Sequence, residues 1–445
     1  MKRLLPYLLI KALLILILIL FSPIRLSPDE AQYWTWSRHL DWGYYSKPPG
    51  IAWQIWLGTY LFGPTELGVR FLSLIIGFFI PLATYRLAIK SNCTPEQSFW
   101  AGLLLALSPL GILSSFFAIT DVGMTLFFIL ATTALVQKKI LPCAFYIACG
   151  ALFKWPIYIL WLFHPWNIPA IIVSLFGLTP SLIWNAQHDW ATFQHVGSTI
   201  AVTTPSPPNP LEFFFAQMAL LSPVIFCLYL FSYRKKIPPL TGLVPATILL
   251  TLLISSSFQK IQGNWASFVY PLALVYTASQ ITNRLLLRLG AITAPLLFLI
   301  VLLLAPLSYR TNAFRHNMGW DNIAPQLLQA GYIPDEHFLF SDKYQMTSLL
   351  SFYGPEQHQA YFFNLQGSRK NQFSYWPQMP DKELFNTGYF VRVEHTLRNN
   401  FIEELSPYFA SVIPYPATEI SPGMYLLIYR CTLYNGNTPP VTSHY

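Results

Sequence analysis

The segment 27–50, SPDEAQYWTWSRHLDWGYYSKPPG, holds the densest set of side chains able to do chemistry. Two adjacent carboxylates, Asp29 and Glu30, precede a lysine on a stiff hinge, Lys47-Pro48-Pro49. A carboxylate can accept a proton from a hydroxyl. An ammonium is a compact point charge suited to a phosphate. An acid and a cation on one segment would therefore suit transfer from a phosphate-activated lipid. Each group also has a plainer reading. Ser27-Pro28-Asp29-Glu30 is a capping box, with Ser27 at N-cap, Pro28 at N1 and Glu30 at N3. As a cap, Glu30 would contribute about 1 kcal/mol or less, and Asp29 is left freer to face a substrate. Lys47 at a membrane interface would reach towards headgroups. The aromatic residues of the segment suit the headgroup layer, and Tyr33, Tyr44 and Tyr45 among them are candidate substrate contacts, as is Glu30.

Three further spots carry polar chemistry at the ends of apolar runs. Asp121, beside Thr120, sits at a tight turn, where it would either cap a helix or face a site. Asn185, His188 and Asp189 lie in Trp184-Asn185-Ala186-Gln187-His188-Asp189-Trp190. A single histidine in such a loop more often makes a structural hydrogen bond than acts as a base. Lys260 and Asn264-Trp265 mark a third turn. Each is weak by itself; together they would ring one cavity.

The elements that must position these residues are mostly membrane helices. Of 445 residues, 54% are hydrophobic and 10% charged, against about 25% charged in soluble domains. Mean hydropathy is +0.43. These values exclude a soluble enzyme, a disordered chain and a fibrous one. The net charge of +8 is not a nucleic-acid signal. Residues 1–307 hold 18 basic and 8 acidic side chains, and residues 308–445 hold 9 and 11. The excess base lies between apolar runs, where it sets topology. The first apolar stretch ends in Ser22-Pro23-Ile24-Arg25 rather than a small-residue cleavage site, and reads as an uncleaved span. Only Cys431 falls in the polar C-terminal part, which therefore forms no internal disulfide, and no Cys/His spacing suits a metal.

Apolar runs long enough to span a bilayer cover 4–22, 66–89, 98–119, 121–137, 168–184, 211–233, 238–257, 265–282 and 288–307. The stretch 140–166 is either one span with Lys154 near its middle or two short helices hinged at Phe153-Lys154-Trp155-Pro156. The hairpin places Lys138, Lys139, Arg234-Lys235-Lys236, Arg284 and Arg288 on the side of Lys2 and Arg3, as the positive-inside rule prefers. The expectation is eleven spans, the N-terminus in the cytoplasm and the C-terminus outside. All membrane-part carboxylates except Glu96 then fall at or near the outer face, where charged groups are often functional. The Pro-rich stretch 204–210 reads as a stiff outer loop.

Residues 308–445 alternate β-like runs (His337–Phe340, Gln359–Phe363, Gly388–Val393, Met424–Arg430) with helix-like ones (Asp321–Ala330, Tyr344–Phe352, Leu397–Leu405). This predicts a small extracytoplasmic α/β domain. The chain thus divides into a membrane domain, 1–307, with its first outer loop at 23–65, and a second domain, 308–445.

Asp29-Glu30-Ala31-Gln32-Tyr33-Trp34 and Leu40-Asp41-Trp42-Gly43-Tyr44-Tyr45-Ser46-Lys47-Pro48-Pro49 resemble the first loop of bacterial integral-membrane glycosyltransferases related to aminoarabinose transferase and protein O-mannosyltransferases. Thr120-Asp121, Ile183–Trp190, Gly263-Asn264-Trp265 and Asn371–Pro377 resemble later landmarks of that family. The resemblance implies a GT-C fold and a polyprenyl-phosphate-linked sugar donor. It implies Asp29 as catalytic base or orienter of the acceptor, Asp121 as the second-loop acid, and Lys47 as the group holding the donor phosphate. Many relatives carry His where Lys47 stands, and Lys is the aminoarabinose-transferase-like form, although those enzymes are longer.

The reaction so implied is inverting sugar transfer to a lipid, such as a lipid A-like glycolipid, or to another acceptor at the outer face of the inner membrane. A polyprenyl phosphate is a good leaving group, so no general acid and no cofactor is required; a divalent cation is compatible with the scheme. A transporter or flippase for a lipid-linked glycan would instead line a mid-membrane path with ionisable groups. Apart from Lys11 and Lys154, mid-span positions are apolar. A purely structural membrane protein would leave the polar cluster at the outer span ends unexplained.

Overall fold

The computed structural model describes residues 1–164, 167–200, 207–233, 239–304, 314–377, 379–397 and 400–441. The basic triplet Arg234-Lys235-Lys236, residues 204–206 of the Pro-rich stretch, residues 398–399 of the helix expected at Leu397–Leu405 and the boundary expected at 307/308 lie outside them.

The membrane part is a bundle of apolar helices. The first runs Leu5–Phe21. Lys11, in its middle, is 7% exposed and donates to the carbonyls of Gly77 and Gly111 at 3.3 and 2.9 Å. A mid-helix lysine is thereby accounted for as a tie between three helices. Glu66–Lys90 is the longest helix among the described residues. The 98–119 run is broken: Pro95–Leu107 and Pro109–Phe116 meet at 61°. Thr120–Val136 follows. The 140–166 stretch divides as the hinge reading expects, into Ile140–Ala151 and a 3-10 helix, Trp155–Phe163. Gly150 gives Ile157 room, since a Cβ there would stand 2.1 Å from its Cδ1.

The 211–233 run differs from a single span. Pro210–Leu221 and Pro223–Ser232 meet at 103°, because Ser222 takes φ 78 and Pro223 has no N–H to continue the ladder. Among the described residues, Glu66–Lys90, Ile168–Gln187 and Arg284–Leu303 are long and apolar enough to cross a membrane, or up to five spans if each bent pair counts as one. The first-loop segment is itself helical: Pro28–Ser37 and Gly50–Phe62.

The C-terminal part forms a six-stranded sheet. Its strands are β1 His337–Ser341, β2 Tyr361–Phe362, β3 Thr387–Glu394, β4 Phe409–Pro414, β5 Thr418–Ser421 and β6 Met424–Tyr434. The order is β2-β1-β3-β6-β4, with β5 also on β6. β1 is parallel to β2 and β3, and the remaining pairs are antiparallel. Helix Tyr344–Tyr353 covers one face together with Ile323–Gln329. β4 and β5 fall where no strand was expected, and the helix expected at Leu397–Leu405 is confined among the described residues to Ile402–Leu405.

The sheet domain is bolted to the first loop. Ala31 joins the core formed by Trp320, Leu349 and Leu350, and Trp34 meets Phe352 edge-on at 4.9 Å. Tyr353 Oη accepts from Leu26 N at 2.7 Å and donates to Glu66 at 2.6 Å. Arg25 bridges Glu66 and Asp321.

Candidate functional site

Between the first loop, the bundle and the sheet domain lies a polar cavity of about 420 Å³. Asp29, Tyr33, Tyr45, Lys47, Asp121 and Lys154 line it. Asn264 and Trp265 add to its wall, as do Tyr344, Lys370 and Asn371 from the C-terminal part. The structure therefore brings Asp29, Lys47 and Asp121 to one place.

Local sequence explains the convergence. Ser27 accepts from Glu30 N at 3.2 Å, and Glu30 accepts from Ser27 N at 2.9 Å, completing the capping box. The same Glu30 carboxylate receives Arg70 Nε and Nη2, each at 2.9 Å, and Ala118 N at 2.9 Å. Glu30 and Arg70 are both 0% exposed. Four hydrogen bonds from three residues aim Glu30 into the bundle, so it does not line the cavity as a substrate contact. Asp29, one residue earlier, is exposed and lines the cavity.

Lys47 is placed by a tight turn in which Tyr44 N donates to Lys47 O and Lys47 N to Tyr44 O. Tyr44 stacks on Trp36 at 4.5 Å and 7°, and its hydroxyl bonds to the carbonyls of Trp36 and His39. It is a wall of the turn rather than of the cavity. Asn185 holds Thr192 by both its amide groups, and Thr192 Oγ1 donates to Tyr44 O at 3.0 Å. Asn185 is thus a positioning residue, 0% exposed. His188 stacks on Trp184 at 4.1 Å and bonds to its carbonyl. Neither His188 nor Lys260 lines the cavity.

The sequence reading makes Lys154 part of a hinge between two short helices and does not count it as a site residue. Gly50 N donates to Leu152 O at 2.7 Å, fastening the Lys47-Pro48-Pro49 hinge beside Leu152. A Cβ on Gly123 would come within 2.4 Å of the Phe153 ring. The bare Gly123 lets Phe153 lie flat on the helix that carries Asp121, and Lys154 Nζ then reaches Asp121 Oδ1 at 2.8 Å. Ser267 Oγ donates to the same oxygen at 3.3 Å.

The electrostatics follow this layout. Crowding by protein raises the Asp29 pKa, partly opposed by the Lys47 cation and helped by Glu30. Burial lowers that of Lys47, aided by Lys154 and opposed by Asp121 and Asp29. Tyr344 is pushed up to about 12 by burial and by Asp29. His195, near Lys47, is lowered by burial and by that cation. Among the described residues, no group of three or more His, Cys, Asp or Glu side chains could hold a metal ion.

A second cavity, of about 450 Å³, adjoins the first and is largely apolar. Met124, Ile159, Ile248, Leu252 and Phe268 line it, and it shares Lys47, Lys154, His195 and Trp265 with the polar one. An apolar tail with a charged end would fit across this junction.

Residues 46–184 match the family of dolichyl-phosphate-mannose-protein mannosyltransferases. The lipid A galacturonosyltransferase RgtD of Rhizobium johnstonii is 33% identical over 276 residues, 54% of this chain and 58% of that protein. The chain thus matches just over half the length of that curated relative. Two crystal structures of ArnT from Cupriavidus metallidurans superimpose over nearly the whole chain. The apo form has a TM-score of 0.63 at 13% identity, covering 94% of this chain and 97% of that one. The form bound to undecaprenyl phosphate has a TM-score of 0.65 at 14% identity, covering 95% and 97%. The chain has the GT-C fold. The resemblance read from the first loop to GT-C membrane glycosyltransferases is borne out, with the small C-terminal sheet as part of that fold.

Proposed function

We propose that this GT-C chain is an inverting glycosyltransferase. It moves a sugar from a polyprenyl-phosphate donor to a hydroxyl of a lipid A-like glycolipid at the outer face of the inner membrane. The observation that carries the reading is the junction of the two cavities, where Lys47 and Lys154 stand between an apolar groove and the polar cavity holding Asp29 and Asp121. The polyprenyl tail occupies the groove, its phosphate meets Lys47, and the sugar projects towards Asp29. The acceptor oxygen attacks the anomeric carbon and its proton passes to Asp29. The bond from that carbon to the phosphate oxygen breaks, and its electron pair stays on the phosphate, where Lys47 stabilises the added charge. Asp121, held by Lys154 and Ser267, fixes that cation pair and the floor of the cavity. Tyr33 and Tyr45 flank the sugar.

The names of the relatives support both substrates: one is a lipid A transferase, and another was crystallised with undecaprenyl phosphate. The topology that goes with this reading has eleven spans, a cytoplasmic N-terminus and an extracytoplasmic domain 308–445. A flippase is disfavoured by the two mid-span lysines, since Lys11 ties helix carbonyls and Lys154 pairs with Asp121. The deciding experiment incubates membranes holding the chain with labelled polyprenyl-phosphate sugar and lipid A. A labelled glycolipid is expected. Movement of intact donor across the bilayer, with no new glycosidic bond, would overturn the reading.

A further inference from the structure

A third cavity, of about 550 Å³, lies in the C-terminal part, between helix Tyr344–Tyr353 and the loop 364–371. It meets the polar cavity at Tyr344, Lys370 and Asn371. The first turn of helix Pro28–Ser37 stands between them: Pro28 lines the third cavity and Asp29 the first. The apolar groove has none of its lining residues in common with the third cavity. The groove and the third cavity therefore enter the polar cavity from different sides. An inverting displacement suits that arrangement, since the nucleophile must reach the anomeric carbon on the face opposite the one from which the phosphate departs.

The lining of the third cavity is mixed: Met346, Leu349, Phe362 and Met424 stand in it beside acceptors for a polar guest. Asp342 and Asn371, 5% and 6% exposed, belong to its wall. Asp342 Oδ2 is engaged by Arg392, but Asp342 Oδ1 and Asn371 Oδ1 have no hydrogen-bond partner among the described residues. Buried acceptors left unsatisfied are uncommon and call for a donor. Hydroxyl groups are such donors. Two cations, Lys343 and Lys370, also line the cavity, and Lys343 is only loosely tied to Glu394 at 3.5 Å. Lysines next to hydroxyl-seeking acceptors describe a sugar that also bears an anion.

We infer that this cavity is the acceptor subsite: it seats the phosphorylated sugar headgroup of the glycolipid and delivers one of its hydroxyls past Tyr344 and Asn371 to Asp29. The inference rests on the transferase reading for its chemistry, but its binding test does not depend on turnover. The probe is a deacylated glucosamine disaccharide bisphosphate, titrated by calorimetry into the purified full chain in detergent. Undecaprenyl phosphate is titrated separately. Wild type should bind both. Ser368→Trp, which adds bulk to the wall of the third cavity, and Lys343→Gln, which removes a cation from that cavity alone, should each weaken disaccharide binding at least tenfold. Both should bind undecaprenyl phosphate as wild type does, which also shows that they are folded. Lys47→Met should show the reverse pattern.

Unaltered disaccharide binding in both Ser368→Trp and Lys343→Gln would overturn the assignment. So would disaccharide binding lost in Lys47→Met but kept in the other two, which would move the acceptor to the polar cavity. Equal affinity for the unphosphorylated disaccharide would remove the anionic part of the claim. If wild type binds the disaccharide and yet transfers no sugar, the subsite stands and the transferase reading fails.

Discussion

Arg70 clamps Glu30 through two nitrogens, Nε on Oε1 and Nη2 on Oε2, each at 2.9 Å, with both side chains fully buried. The pair closes the base of helix Pro28–Ser37 against helix Glu66–Lys90, and so sets where Asp29 stands. A helix cap alone would contribute about 1 kcal/mol. Removing one member of a buried, hydrogen-bonded pair costs roughly 3–5 kcal/mol, because the other charge is left stranded. Glu30→Gln should therefore lower the thermal midpoint of the detergent-solubilised protein far more than a cap substitution such as Thr94→Ala. Equal midpoints for the two variants would reduce Glu30 to a cap.

Asp29→Asn separates the neighbours. Its side chain is the same size and is exposed on the cavity wall, so the folded protein should survive. Transfer should fall by about 10²–10⁴-fold, the usual cost of losing a general base. The pH profile is the sharper measurement. A base works when deprotonated, and burial raises the Asp29 pKa above its ordinary value. The acidic limb of kcat/KM should rise with pH through an inflection above the usual aspartate range. Lys47 lowers the Asp29 pKa, so in any residual activity of Lys47→Met the inflection should move to higher pH. An inflection at or below the usual aspartate value would remove Asp29 as the base.

Much of this was legible before the fold was known. The capping box, the Lys47 hinge and the break near Lys154 each depend on residues a few positions apart. What stayed hidden depends on distant partners. Arg70 lies forty residues beyond Glu30, and nothing in its helical surroundings marks it as the mate of that carboxylate. Lys154 read only as part of a hinge because its partner, Asp121, lies thirty-three residues earlier in the chain. The small residues Gly50 and Gly123 were the available signal, since both permit the close approach that brings Lys154 in. Tyr344 and Lys370 reach the cavity only through docking of the sheet domain, which no local pattern encodes. Asn185 and His188 were noticed for their chemistry and proved to hold loops. The strands β4 and β5 were missed because β4 is an edge strand with mostly exposed side chains and a terminal proline, and β5 is four residues long.

Lys47 supplies a kinetic test. An ammonium serves a phosphate as a point charge, without bidentate geometry. Lys47→Arg should retain part of the activity and Lys47→Met very little. The loss should appear in donor KM, because the phosphate is already charged, and in kcat, because charge grows on the bridging oxygen. Donor-concentration dependence in nanodiscs resolves the two. Unchanged kinetics in Lys47→Met would leave it an interfacial lysine.

The Lys154–Asp121 pair invites a double-variant test, because structural and functional roles predict different rescues. The ammonium is 2.8 Å from Asp121 Oδ1, with the side chains 17% and 10% exposed. Lys154→Met strands a mostly buried carboxylate, and Asp121→Asn strands a cation. Each should lower the thermal midpoint, by less than the Glu30–Arg70 pair does, since both groups retain some water. Combining the two changes removes both charges, and most of the lost stability should return, as it does when buried ion pairs are replaced together. Activity should not return. If Asp121 and Lys154 set the charge around the donor phosphate, the double variant lacks one cation at the cavity junction and its donor KM stays high. A double variant that regains wild-type transfer along with its midpoint would make the pair a brace for the hinge at Phe153 and nothing more.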